Sequence, residues 1–448
     1  MADNIQSPVP AISLGSMLRS QIARVAIGVM IMQGMALLLG VLVNVQLARM
    51  LQPYGFGRYA FALTAVSLIT MPLQSGMATL LVREIAVYEL RGEWGLMHGL
   101  LRTANAGVLA VTIIGALVLV VVLAVGGVPH DESRLWLWAL ALVPLYALGA
   151  LRAAALRGLR HVVLGLLPEQ TIRPLVLAAL LAVFWWFARD ALTPERAMAL
   201  HVGAMVVAFT IGVALLFKHL PDPVRDAVPQ YALRLWSAAV LPFTMLAGIQ
   251  VLNSSLDILM LGLLKPASEA GLFRAAQQFA VMLGFSQIAI NQALLPQLAR
   301  CFAAGDIARA QKLCTWSARA MLAAVLPFAV VFLVAGQKIL ALFYGAAYGA
   351  AWPVLSVLTL SAIVNAACGP VGNLMNMAGN ERRTVRAVGE SLCLNALINW
   401  LLIPHYGATG AAIATMAGIM YWNVRLALQS RQLTGVRGSA FASTRTKP

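Results

Sequence analysis

From Ile22 onward this chain is a succession of long apolar runs joined by short polar stretches, a pattern that leaves a lipid bilayer as the medium in which it can fold. A helix needs about 20 mostly apolar residues to cross ~30 Å of hydrocarbon. Composition agrees. Of the 448 residues, 61% are hydrophobic and 11% charged, against about 25% charged in a soluble domain, and the mean hydropathy is +0.83. One span plus one joint takes about 30 to 40 residues, so the length predicts about twelve spans. They fall near 22–48, 57–82, 98–126, 135–156, 162–187 and 195–217, then 235–263, 271–298, 313–335, 350–377, 384–404 and 408–429. The expected fold is an all-α polytopic membrane protein with no sizeable soluble domain.

The net charge of +16 raises nucleic acid as a partner, but the 32 Lys and Arg sit singly at the edges of apolar runs. Nothing resembles the basic, aromatic-interleaved patch that nucleic-acid binding needs, so no such partner is expected. Residues 1–21 are polar, and the run after them is too long for a signal h-region and lacks an A-x-A-like exit; it is expected to stay as the first span. Cytoplasmic loops carry the excess of Lys and Arg. With the N-terminus inside, 23 of the 32 lie on the inner side, eight on the outer side, and Arg173 within span 5. Both termini are thus expected in the cytoplasm. Cys301, Cys314, Cys368 and Cys393 show neither C-x-x-C nor zinc-site spacing. They read as packing residues, and no metal or cofactor is expected beyond a coupling ion.

Internal similarity is visible. Leu51, Gln52 and Pro53 lead into Gly57, Arg58 and Tyr59, while Leu264, Lys265 and Pro266 lead into Gly271, Leu272 and Phe273; Pro53 and Pro266 are 213 residues apart. Gly92 and Glu93 match Gly305 and Asp306 at the same offset of 213, and Gly158 and Glu169 match Gly379 and Glu390 at 221. Six spans per repeat is an even number, so the two halves share orientation and a site belongs between them. The expected organisation is a cytoplasmic segment over 1–21, a six-helix bundle over 22–218 and a cytoplasmic linker over 219–234, followed by a second parallel bundle over 235–430 and a cytoplasmic tail over 431–448. The linker is the expected hinge-bearing connection.

Polar residues within spans are costly and mark function by default. Gln250, Asn253, Ser254 and Asp257 fall at i, i+3, i+4 and i+7, on one face of span 7. Asp257 has Asn44 as its counterpart in span 1, where Asn44 shares a face with Gln33 and Gly40. Span 8 adds Arg274, Gln277, Gln278 and Gln292. These faces are expected to line a cavity, the alternative being interhelical hydrogen bonds worth under about 1 kcal/mol each. Arg173 lies near the midplane of span 5 with Glu169 at i−4, either a structural ion pair or a substrate contact. Arg386 and Glu390 repeat that spacing in reversed order, and Arg24 stands near the inner end of span 1. No phosphate loop, H-E-x-x-H or G-x-S-x-G is present. The chain is not expected to be an enzyme, and movement of a substrate falls to an ion gradient, the membrane potential or the substrate's own gradient.

The segment LARMLQPYGFGRYAFALTAVSLI followed by LVREIA resembles the oligosaccharide flippase or polysaccharide transporter family of the multidrug, oligosaccharidyl-lipid and polysaccharide exporter superfamily. LDILMLGLLKPASEAGLFRAAQQFA, FYGAAYGAAWPVLSVLTL, NLMNMAGNERR and LLIPHYGATGAAIAT extend the resemblance over residues from about 20 to 430. It implies a V-shaped pair of six-helix bundles that moves an undecaprenyl-pyrophosphate-linked oligosaccharide from the inner to the outer leaflet of a bacterial inner membrane by alternating access. Membrane lipids and the lipid-linked glycan are the implied partners, with a glycosyltransferase and a polymerase as further ones, and the chain is expected to act as a monomer. By the same resemblance, Arg24 and Arg274 hold the pyrophosphate, with Arg173 of the span 5 pair as a further candidate for that contact, and Asp257 couples to H+ or Na+; its span 1 counterpart Asn44 offers no second carboxylate. The rival reading is a cation-coupled multidrug antiporter of the same superfamily.

Overall fold

The computed structural model describes residues 21–124, 133–188 and 192–442. The expected N-terminal segment, apart from Gln21, the loop before Arg134 and the last residues of the tail lie outside these. Among the described residues every regular element is helical. In chain order they are α1 (Gln21–Met71), α2 (Ala78–Arg91), α3 (Trp94–Ala124), α4 (Ser133–Gly158), α5 (Val162–Leu167), α6 (Arg173–Phe187), α7 (Pro194–His219) and α8 (Asp222–Asp226). Then come α9 (Leu233–Leu264), α10 (Ala267–Ala303), α11 (Ile307–Tyr344), α12 (Trp352–Cys368), α13 (Val371–Met377) and α14 (Glu381–Thr434). Large apolar side chains point outward, Phe187 and Val334 each 82% exposed, which fits a lipid surface and no other solvent.

Nine helical segments among the described residues are long and apolar enough to cross a membrane, against the expected twelve. Much of the difference lies in two helices with a break inside. Gln52 (φ 58, ψ 171) interrupts α1 between expected spans 1 and 2, and Gly407 (φ 53, ψ −132) interrupts α14 between expected spans 11 and 12. Gln52 precedes Pro53, whose ring disfavours the helical conformation at the residue before it. Two π segments, Pro72–Met77 between α1 and α2 and Pro168–Ile172 between α5 and α6, each begin at a proline. In the second, the Arg173 N–H reaches the carbonyl of Pro168, an i→i−5 bond. One extra residue per turn re-aims the side chains that follow.

The sequence-repeated joints take partly matching backbone shapes. Gln52 (ψ 171) and Lys265 (ψ 163) share a similar ψ before a proline but differ in φ, 58 against −139, and Gly92 (φ 68) and Gly305 (φ 67) both end a helix in the left-handed region. The third pair differs: Gly379 has φ 76, whereas in the first half the positive φ falls on Arg160 (φ 65) rather than on Gly158.

The two corners then pack on each other. A Cβ on Gly57 would stand 1.7 Å from the carbonyl of Ala267, and one on Gly271 would stand 2.1 Å from that of Pro53, a reciprocal backbone contact that only glycine permits. Arg49 hydrogen-bonds to the carbonyls of Leu342 and Phe343, and the Tyr348 hydroxyl donates to that of Ala48 at 3.1 Å. This corner end is closed.

At the opposite end the linker is docked against the first half. The Gln230 N–H donates to the Gly95 carbonyl at 2.9 Å, and Trp236 Nε1 donates to the Tyr88 hydroxyl at 3.0 Å. At the tail, α14 runs to Thr434, and the chain after it packs back on α11, where Arg437 N–H donates to Gln311 at 2.7 Å and Arg319 Nε donates to the Ala440 carbonyl at 3.0 Å.

Candidate functional site

A cavity of about 450 Å³ lies between the halves, lined by residues of α1, α6, α7, α9 and α10. Of the residues singled out in the sequence, Asn44, Arg173, Ser254, Arg274, Gln277 and Gln278 line it. The two arginines come from opposite halves, and no Asp or Glu is among the lining residues. Arg274 Nη1 donates to Gln277 Oε1 at 3.2 Å, and Asn44 Nδ2 is tied back to the Gly40 carbonyl at 2.7 Å.

Arg173 is fixed from several sides. Its Nε donates to the Glu169 carbonyl at 3.2 Å and lies 3.7 Å from the Glu169 carboxylate. The carboxylate fits because residue 149 on α4 has no side chain: a Cβ there would meet Glu169 Oε1 at 2.1 Å. Arg173 Nη1 donates to the Tyr146 hydroxyl at 2.5 Å. That hydroxyl is 3.1 Å from His201 Nε2, and His201 Nδ1 is 2.5 Å from the Tyr59 hydroxyl.

The direction of this chain follows from what each group can do. Guanidinium only donates, so Tyr146 accepts from Arg173 and gives its own hydrogen to His201 Nε2. Arg173 Nη1 stands 3.3 Å from the same nitrogen, which again makes Nε2 the acceptor. The imidazole proton is then on Nδ1 and is donated to Tyr59. Tyr59 lines the cavity, and its O–H is the last donor of the chain. The arrangement offers an anion one guanidinium from each half, with hydroxyl and amide groups around them.

Other expected positions fall elsewhere. The face read on span 7 is divided: Ser254 lines the cavity, whereas Asp257, three residues on, is turned into its own half. Asp257 is buried and receives Asn399 Nδ2 at 2.7 Å, Asn395 Nδ2 at 3.3 Å and the Thr415 hydroxyl at 2.7 Å, all from α14. A carboxylate is stable there only because donors surround it. Gln33 and Asn253 are not among the cavity's lining residues. The side chains of Gln250 and Arg24 lie outside the described residues. Glu390 pairs with Arg425, beside the Tyr421 hydroxyl at 2.8 Å, and not with Arg386 as the repeated spacing suggested. Sequence reading missed Tyr59, Tyr146, His201, Asn395, Asn399 and Thr415. Only the i, i+4 pair Asn395 and Asn399, two amides inside a span, carried a signal.

Comparison with known proteins follows the same lines. The family model described as polysaccharide biosynthesis protein matches residues 22–302. The probable low-salt glycan biosynthesis flippase Agl15 of Haloferax volcanii is 24% identical over 163 residues, 36% of this chain and 34% of that protein. The match thus spans about a third of that relative's length. Among solved structures, a MATE-family multidrug resistance transporter of the MOP superfamily in an inward-facing conformation superposes with a TM-score of 0.75 at 13% identity, over 92% of this chain and 98% of that one. The lipid II flippase MurJ in an inward closed conformation gives 0.72 at 12% identity, over 90% and 87%. The fold is that of these V-shaped transporters.

Proposed function

Because this chain belongs to the polysaccharide biosynthesis protein family, we propose that it is a flippase that carries a polyprenyl-pyrophosphate-linked oligosaccharide from the cytoplasmic to the outer leaflet by alternating access. The observation that carries this reading is the cavity to which each half contributes one arginine and neither contributes a carboxylate. A pyrophosphate is a compact polyanion that guanidinium binds bidentately, and each such charged hydrogen bond contributes about 1.5–3 kcal/mol. Arg173 and Arg274 grip the pyrophosphate, with Arg24 as a further contact. Asn44, Ser254, Gln277 and Gln278 meet the sugars, and the polyprenyl tail stays in the bilayer. An exporter of organic cations would need acidic groups where this cavity presents basic ones.

Asp257 is the ion-coupling group in this reading. Its carboxylate, the amide oxygens of Asn395 and Asn399 and the Thr415 hydroxyl make an oxygen-rich cluster inside the second half, and Asn399 Oδ1 is buried with no hydrogen-bond partner among the described residues. Such a set suits H+ or Na+. The protein then works as a monomer in a bacterial inner membrane, both termini cytoplasmic, between the glycosyltransferase that builds the glycan and the polymerase that extends it, and it catalyses no covalent step. Replacing Arg274 tests the assignment in cells. Arg274→Ala should stop surface display of the glycan while the protein still accumulates in the membrane, and normal display by that variant would sink the reading.

A further inference from the structure

Away from the central cavity, a cleft of about 420 Å³ opens within the first half. Arg152 of α4, His98 and Arg102 of α3, Phe217 of α7 and Arg225 of α8 are among the residues that line it. No carboxylate lines it. Arg225 Nη2 donates to the Phe217 carbonyl, which holds the guanidinium at the cleft; its Nη1 lies 3.6 Å from Asp222, but Asp222 is 89% exposed, and such a surface pair leaves Nη1 open to another acceptor. His98 Nδ1 is taken by the Ala227 carbonyl at 2.8 Å, which leaves Nε2 as its remaining polar atom.

Arg152 is the informative residue. Its guanidinium lies 3.8 Å over the Phe209 ring, and its Nη1 is buried with no hydrogen-bond partner among the described residues. Glu169 lines a small gap beside it, but that carboxylate is already shared with Arg173. One charge is left over, and a buried guanidinium donor without an acceptor is costly. Topological anchoring accounts for single arginines near an interface. It does not account for three of them around one cleft, one with a buried unmet donor.

Depth identifies the missing acceptor. Arg152 stands six residues before the end of α4, about 9 Å along the axis, and Arg102 stands eight residues after the start of α3, about 12 Å. Lipid phosphates lie in that zone, at the edge of the hydrocarbon. Farther along α3, Leu109, Ile113 and Leu117 are 58–64% exposed and share one face at i, i+4 and i+8, a track on which acyl chains can lie. We propose that this cleft binds the phosphate headgroup of an anionic membrane lipid, with Arg152 and Arg225 as its principal donors and the acyl chains along α3. The site is separate from the transport cavity and does not depend on the flippase reading.

The test is lipid retention by the full-length purified protein under native mass spectrometry, with phosphatidylglycerol, phosphatidylcholine and inorganic phosphate as probes. Phosphatidylglycerol should be retained about tenfold over phosphatidylcholine, the ratio expected of one charged hydrogen bond. Both Arg152→Gln and Arg225→Gln should bring that ratio close to one. Arg225 is exposed on a surface helix, so its variant still reads out if Arg152→Gln fails to fold. Equal retention of the two lipids by the unsubstituted protein would overturn the proposal. So would an unchanged ratio in Arg225→Gln, or displacement of phosphatidylglycerol by millimolar phosphate, which would mark a site for free anions.

Discussion

Arg173 shows how much structure one buried charge requires. It leaves its own helix at a π segment, shares Glu169 with Arg152, and is steered by Tyr146 and His201 from two further helices. Gly149 makes room for the carboxylate, so Gly149→Ala should be felt at once: a Cβ 2.1 Å from Glu169 Oε1 must displace the acid or the helix. Overpacking of this kind costs about 1–3 kcal/mol, and the expected outcome is a lower melting temperature for the purified protein together with slower transport. Unchanged melting would show that Glu169 has room to move. The Glu169–Arg173 pair was legible in the sequence because helical spacing alone brings i and i+4 together. Tyr59, Tyr146 and His201 were not, because none has a polar residue at i±3 or i±4 on its own helix and only tertiary packing assembles them. The side to which Asp257 turns was not legible for a related reason. Three residues of helix turn a side chain by about 60°, enough to move it from the shared cavity into its own half.

At the scale of elements, length and apolar content placed most helices, and the proline joints at residues 52–53 and 265–266 were readable as breaks. What the sequence did not carry was the manner of each break. Gln52 holds φ 58 and ψ 171, a region that side chains disfavour by about 1–3 kcal/mol, whereas the equivalent Lys265 reaches a similar ψ at an ordinary φ of −139. The expected consequence is that Gln52→Gly raises stability by about 1 kcal/mol, seen as a higher melting temperature with transport preserved. A lower melting temperature would mean that the Gln52 side chain, which donates to the Arg49 carbonyl at 3.0 Å, contributes more than the backbone strain removes. The π segments escaped notice because a proline within a span announces a disturbance but not whether it becomes a kink, a bulge or nothing.

Across the whole molecule, the reciprocal glycine contact between Gly57 and Gly271 closes one end, and the arginine-bearing cavity lies between the halves on its inner side. For the proposed alternating access to operate, the contact between Gly57 and Gly271 must part. The repeat was visible as paired prolines and glycines, whereas the cavity's charge needed the structure, since Arg173 and Arg274 lie 101 residues apart and nothing local relates them. The most direct measurement is flipping by the purified protein in sealed vesicles loaded with a polyprenyl-pyrophosphate oligosaccharide, with a fluorescent organic cation as the competing cargo. The glycan lipid should cross, Arg173→Ala and Arg274→Ala should each slow it at least about tenfold, and the cation should stay behind. Passage of the cation without the glycan lipid, or wild-type flipping by both arginine variants, would contradict the account.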